Sequence, residues 1–338
     1  VKKIFLWLLL FLAVFGITVF LIKYLSRSAA NIISPLGLKD RPLDVFTIDN
    51  LGKRVYQPSQ IILDNPVSTT SAFVSYLFHF DSDGKKVTGL INIPETPKST
   101  KIPAIVQLRG YVDPSIYEPG VGTKRSGEVY AANGFITIAP DFLGYGGSDN
   151  PSTDIFAERF ETYTTVLNLL ASLKTLPIID TGHIFLWGHS NGGHIGLTTL
   201  TIYSEATKSS QMPAVVAATF WAPVTRPFPY SILYYTDEQA DMGKSLRKEL
   251  AKFEENYNTD LYAFTNYLGR ISVPMQIHQG TSDDAVPYKW SDEIVGKMGK
   301  NGVKVDYFLY PGADHNLQGS WNTVVERDLN FFRKYLSP

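Results

Sequence analysis

Cysteine is absent from all 338 residues, which excludes disulfides, thiol nucleophiles, thiolate-bound zinc and lipid attachment through cysteine. Charge of one sign is lacking too: 31 Lys and Arg stand against 32 Asp and Glu, a formal balance of −1. Without a basic excess there is no patch to neutralise phosphates, so nucleic acid is not an expected partner. No repeat and no low-complexity tract breaks the chain. His79, His183, His189, His194 and His278 show no metal-ligand spacing backed by carboxylates and read as ordinary polar residues. No metal and no cofactor is expected.

What is present begins with an apolar content of 44%, ordinary for a chain with a real core. One long uncharged run, Ile4 to Ile22, comes after Lys2-Lys3. As a helix it would be about 28 Å long, close to the thickness of a bilayer's hydrocarbon. The expectation for residues 1–30 is an uncleaved transmembrane signal-anchor. The rival is a cleavable signal peptide ending near Ser28-Ala29-Ala30, although such apolar regions usually run to about 7–15 residues. Lys2 and Lys3 lie before the run and Lys23 and Arg27 after it, so positive charge does not orient it. The expected arrangement is a single-pass membrane protein with its globular part extracytoplasmic, because N-terminal anchors commonly export the chain attached to them.

Residues 31–60, with scattered Pro, Gly and charge, read as a linker and lead-in. Phe73–Phe80 and Lys86–Ile93 are strand-like and joined by the hairpin signal Asp81-Ser82-Asp83-Gly84. From Pro103 onward, strands and helices alternate. Strands are expected at Pro103–Leu108, Phe135–Ala139, His183–Trp187, Ala214–Trp221, Pro274–Gln279 and Val303–Tyr310. Helices are expected near Lys124–Asn133, Asp154–Lys174, Asn191–Ser204, Tyr288–Gly299 and Ser320–Leu336, the second with Asp154 as N-cap. This alternation implies βαβ units and a mostly parallel sheet flanked by helices, an α/β domain over about 61–338. Some 50 residues, Ala222 to Val273, interrupt it where a short crossover would suffice. They open on Phe228, Tyr230, Tyr234 and Tyr235 and continue in a charged helix near Asp237–Glu255. Insertions of this size act as caps or lids, or pack on a sheet edge.

The chemistry centres on Gly188-His189-Ser190-Asn191-Gly192, between the apolar run Ile184-Phe185-Leu186-Trp187 and a helix. G-x-S-x-G at a strand-to-helix turn is the nucleophile-elbow pattern of α/β-hydrolases. A serine there needs a base, itself oriented by an acid. Asp283 and Asp284 come after the strand Pro274–Gln279, and His315 comes after the strand Val303–Tyr310. Both groups therefore sit at the carboxyl edge of the sheet, in the order acid then histidine. Asp283 lies 93 residues beyond Ser190, and His315 lies 32 beyond Asp283.

The runs Trp187-Gly188-His189-Ser190-Asn191-Gly192-Gly193, Gly280-Thr281-Ser282-Asp283-Asp284 and Asp314-His315 resemble the catalytic domain of prolyl oligopeptidase-type serine hydrolases. Ala139-Pro140-Asp141-Phe142-Leu143-Gly144-Tyr145-Gly146-Gly147-Ser148 is similar to a loop of many α/β-hydrolases, and the resemblance spans roughly 85 to 336. It implies an α/β-hydrolase fold and a Ser190–His315–Asp283 triad, with Asp284 as the alternative acid. One oxyanion donor is then the N–H of Asn191. The other comes from Arg109-Gly110-Tyr111-Val112-Asp113, where the family more often shows His-Gly-Gly or Tyr-Gly-Gly. It is the N–H of Gly110 or Tyr111, or the Tyr111 hydroxyl.

The β-propeller of family peptidases takes at least four blades of about 40–50 residues, and only about 60 residues separate the apolar run from the hydrolase core. No propeller is therefore expected, and no acidic pair for clamping an amino terminus is recognisable. The expected activity is cleavage of a peptide or small ester through an acyl-enzyme, as a serine-type peptidase or a carboxylesterase. An acyltransferase would use the same residues. A binding protein on this fold, catalytically inactive, usually lacks a triad member.

Overall fold

The computed structural model describes residues 40–95 and 101–336. All but the first few of these residues belong to one compact unit, Leu43–Pro338, and the nine strands found among the described residues lie in it. Among the described residues no helix is long and apolar enough to cross a membrane. The anchor expected over 1–30 and its rival cleavage site lie outside the described residues.

The strands are β1 (Ile62–Thr69), β2 (Phe73–Ser82), β3 (Lys85–Pro94), β4 (Ile102–Leu108), β5 (Ile136–Pro140), β6 (Ile179–His189), β7 (Val215–Trp221), β8 (Met275–Gly280) and β9 (Val305–Tyr310). They form one sheet in the order β1-β2-β3-β5-β4-β6-β7-β8-β9. From β5 to β9 all neighbours are parallel, while β1, β2 and β3 join antiparallel. The β2–β3 turn takes positive φ at Asp83 and Gly84, the pairing a two-residue hairpin demands. Chain order reverses at β4, which lies between β5 and β6. In such sheets the crevice outside the carboxyl ends of the reversing strands is where ligands bind.

The helices are α1 (Ile48–Lys53), α2 (Lys124–Ala132), α3 (Ile155–Ser172), α4 (Asn191–Ser209), α5 (Tyr230–Leu233), α6 (Lys244–Glu254), α7 (Tyr288–Lys300) and α8 (Trp321–Lys334). Asp154 caps α3, its side chain accepting from the N–H groups of Phe156 and Ala157 at 2.9 Å each. Such a cap contributes about 1 kcal/mol. Strand alternation divides the core in two. In β6, Ile184 and Leu186 join the cluster that holds α3 and α4, whereas Phe185 and Trp187 join Phe332 and Tyr130 of α8 and α2.

Two elements depart from the expectation. The stretch read as linker, 31–60, contains α1, and Ile48, Leu51 and Tyr56 are buried in the core. β1 is an edge strand whose residues are almost all exposed. The insertion between β7 and β8 packs on α3 rather than hanging free of it. Phe228, Phe253 and Tyr262 stack about Phe156 and Phe160 at centroid distances of 4.9–6.4 Å. The charged helix expected from Asp237 starts at Lys244, after Gly243 in left-handed conformation.

A buried carboxylate pins α8 to the sheet. Asp328 accepts from the Tyr130 hydroxyl at 2.7 Å, the Thr219 hydroxyl at 2.6 Å and the Trp221 indole at 2.8 Å, and His278 Nε2 lies 3.1 Å away. Several donors around one charge are what permit its burial.

Candidate active site

β6 ends at His189 and α4 starts at Asn191, leaving Ser190 alone in the turn at φ 56°, ψ −121°. A residue with a Cβ pays on the order of 1–3 kcal/mol for such a conformation, so its surroundings must impose it. They do so through the backbone. The Ser190 N–H donates to the Trp221 carbonyl at 2.9 Å, and its own carbonyl accepts from Gly193 and Val224 at 3.0 Å each. Gly192 lets the turn close, because a Cβ there would sit 1.9 Å from the Leu108 carbonyl oxygen at the end of β4. The serine side chain is left partly accessible.

Asp283 stands in the loop after β8 and His315 in the loop after β9. The carboxylate of Asp283 is buried and meets His315 Nδ1 at 2.9 and 3.0 Å through its two oxygens. Three further donors hold it: the Val286 N–H at 2.7 Å, the Ala285 N–H at 3.0 Å and Gln279 Nε2 at 2.8 Å. Burial alone would push this carboxyl up. The His315 hydrogen bond and charge, with the bonds from Val286 and Gln279, outweigh it and hold Asp283 below the usual carboxylate range. Asp284, the alternative acid, is exposed and makes none of these contacts.

His189, read from sequence as an ordinary polar residue, joins the histidine loop to the serine turn. Its Nε2 donates to the His315 carbonyl at 2.9 Å, and the two rings lie 4.6 Å apart. Burial, then the charge of His315, lowers its pKa to about 4, so it stays a neutral donor at ordinary pH.

Gly110 lies against the serine: a Cβ on it would be 3.1 Å from the Ser190 Cβ. The hydroxyl of Tyr111 belongs to a side chain 74% exposed, standing in solvent. Arg109, which carries no signal in the sequence, is buried here. Its Nη1 donates to the Gly110 carbonyl and its Nη2 to the Asp141 carbonyl, each at 2.9 Å. Its guanidinium stacks 3.9 Å from the Tyr145 ring centroid and 4.7 Å from that of Tyr117. Because the Gly110–Tyr111 peptide is planar and trans, fixing its carbonyl towards Arg109 turns the Tyr111 N–H the opposite way. Asn191 is the first residue of α4, so its N–H has no partner within the helix.

Two flanks complete the surroundings. On one, Val224, Val286 and Trp290 form an apolar cluster with Tyr235, whose hydroxyl donates to the Ala285 carbonyl at 3.3 Å. Of the four aromatics opening the insertion, Tyr235 belongs to this cluster and the partly exposed Tyr234 packs edge-on against Trp290 at 4.5 Å, whereas Phe228 lies in the main core and Tyr230 is exposed. On the other flank a cavity of about 590 Å³ is lined by His189, Asn316, Trp187, Trp221, Trp321 and Arg125. Among the described residues no group of three His, Asp or Glu is arranged to hold a metal.

Residues 124–338 match the model of the prolyl oligopeptidase family. Dipeptidyl peptidase family member 6 of Caenorhabditis elegans is 22% identical over 161 residues, 48% of this chain and 21% of the relative. The chain thus spans about a fifth of that relative's length. Among solved structures, an acetyl xylan esterase from Paenibacillus sp. R4 superposes with a TM-score of 0.64 at 18% identity, over 88% of this chain and 95% of that one. Pyrococcus horikoshii acylaminoacyl peptidase gives 0.58 at 19% identity, over 78% of this chain and 42% of that one. Both likenesses establish the α/β-hydrolase fold, and with the family match over the C-terminal two-thirds the chain belongs to the prolyl oligopeptidase family.

Proposed function

We propose that the chain is a serine hydrolase that cleaves an ester or peptide bond through an acyl-enzyme on Ser190. His315 takes the serine proton as the hydroxyl attacks the carbonyl and returns it to the leaving group. Asp283 holds the imidazole tautomer and stabilises the imidazolium. The N–H groups of Asn191 and Tyr111 receive the oxyanion, the second because Arg109 holds the carbonyl of the same peptide on the opposite side. The observation that carries this reading is the tie from His189 to the His315 carbonyl. It brings the Asp283–His315 pair to the serine turn. The cavity lined by His189 and Asn316, the neighbours in sequence of Ser190 and His315, gives room for part of a substrate.

Ester cleavage is the first reading of substrate. An acetyl xylan esterase is among the solved structures that superpose, and the apolar cluster of Val224, Val286 and Trp290 beside the acid loop suits an acyl group. Family membership supports peptide cleavage as the second. Fluorophosphonate labelling of the protein, with Ser190→Ala as control, tests the mechanism; an unlabelled wild type would sink it. p-Nitrophenyl esters compared with a proline-containing peptide amide decide the bond.

The reading extends to location. The apolar length of Ile4–Ile22 supports a single-pass anchor, and the export that N-terminal anchors commonly drive would leave the catalytic part extracytoplasmic. Extraction of the full chain from membranes by alkaline carbonate would count against an anchor, and resistance of the intact-cell protein to added protease against the orientation.

A further inference from the structure

Arg159 sits near the start of α3 and reaches the point where that helix, the serine turn and the insertion meet. Its Nη2 lies 3.5 Å from Asn191 Oδ1, next to the nucleophile, and 3.5 Å from Ser231 Oγ on α5. Both distances are at the outer limit of a hydrogen bond. Its Nε is buried with no partner. Other arginines are engaged: Arg54, Arg226 and Arg270 each pair with a carboxylate, and Arg109 is stacked and doubly bonded. Among the described residues no carboxylate pairs with Arg159. The phenol of Tyr163 hydrogen-bonds with it, and the phenol of Tyr235 lies within its electrostatic reach.

A guanidinium is charged at any ordinary pH, and a charge drawn out of water without a counter-ion is costly. Burial lowers the pKa of Arg159 below its ordinary value, with only those two phenols acting the other way. Yet the side chain keeps part of its surface accessible, so a small ligand can reach it. Tyr235 connects this charge to the chemistry. It senses both Asp283 and Arg159, and it belongs to the apolar cluster with Val224 and Val286 beside the acid loop. The residue after the nucleophile is thus flanked by an apolar cluster that contains Tyr235 and by a cation without a carboxylate partner among the described residues.

We propose that Arg159 binds a carboxylate at the distal end of the acyl group, so that the site selects acyl chains carrying a terminal negative charge. The guanidinium fork suits two carboxylate oxygens, and the pairing supplies the counter-ion that the fold lacks. The proposal rests on the acyl-enzyme reading above, with the bond to Ser190 formed and broken as already described.

The test uses the full chain and two esters of equal length, p-nitrophenyl hydrogen adipate and p-nitrophenyl hexanoate. Wild type is expected to favour the adipate in kcat/KM by about tenfold or more, the usual worth of a charge-assisted contact. Arg159→Met should reduce that ratio to one or below, and Arg159→Lys should retain an intermediate preference. Free adipate should also slow fluorophosphonate labelling of wild-type Ser190, while adipamide should not; this arm needs no variant to fold. A wild-type ratio of one, an unchanged ratio in Arg159→Met, or labelling that adipate leaves unprotected overturns the assignment and leaves the hydrolase reading standing. A wild type that is not labelled at all overturns both.

Discussion

The guanidinium of Arg109 donates to the carbonyl of Gly110, its own neighbour in the chain, at 2.9 Å. The contact orients a peptide rather than a substrate. Arg109→Met should therefore lower kcat by roughly 10–100-fold and leave KM within a few-fold, since an oxyanion donor acts on the transition state. Arg109→Lys should recover only part of the loss, because one ammonium cannot reproduce the fork to Gly110 and Asp141. Steady-state kinetics on an activated ester decide this. A rise in KM at constant kcat would show that Arg109 holds substrate instead.

The two adjacent carboxylates should behave very differently. Asp283→Asn removes the charge facing His315 Nδ1 and should cost about 10⁴-fold in kcat, as loss of the third triad member does elsewhere. Asp284 is exposed, and Asp284→Asn should change activity by no more than about twofold. Equal losses in the two variants would refute the assignment.

Acid should destabilise the fold in a defined window. The pKa of His189 is lowered from 6.5 to about 4, and that of His194 to about 3, in both cases chiefly by burial. Between those values and 6.5 the unfolded chain binds more protons than the folded one. Stability is thus complete above pH 6.5 and declines as pH falls towards 4, by on the order of 2 kcal/mol from His189 alone. Asp283, held below the usual carboxylate range, adds a loss of the same sign at lower pH. Urea denaturation at a series of pH values measures the slope. His189→Gln keeps a donor for the His315 carbonyl but cannot titrate, and should flatten the upper part of the profile.

Ser190 stores strain that a glycine would not. Ser190→Gly should abolish hydrolysis and raise unfolding stability by about 1 kcal/mol, because φ 56° is open to glycine without cost. A fall in stability would mean that the serine side chain makes contacts outweighing the strain of its backbone.

Much of this arrangement is legible in the chain itself. Strands β4 to β9 are apolar runs between turn signals, and the turns after them carry Ser190, Asp283 and His315 at sheet-edge positions any parallel sheet would bring together. β1 escapes such a reading because it is an exposed edge containing Pro66, with no buried alternation. α1 escapes it because six residues including Gly52 make too short a period. Arg109 and Arg159 are hidden for a different reason. Sequence distinguishes a buried arginine from a solvated one only through its surroundings, and those come chiefly from Asp141, Tyr145, Asn191 and Ser231, far away in the chain. Phe228 looks like a pocket aromatic in sequence, yet the stacking surfaces of Phe156 and Phe160 draw it into the core.

Gly110 and Ser190 stand on the loops after the neighbouring strands β4 and β6, and Asp283 and His315 on those after the neighbouring strands β8 and β9, while the insertion leaves β7 between the two pairs. The insertion therefore supplies none of these four residues, and touches selectivity through Ser231 and Tyr235, which surround Arg159 of α3. A lineage could exchange the stretch beyond Val224, with Ser231 and Tyr235 in it, and reshape the surroundings of the acyl group while Val224 goes on holding the Ser190 carbonyl.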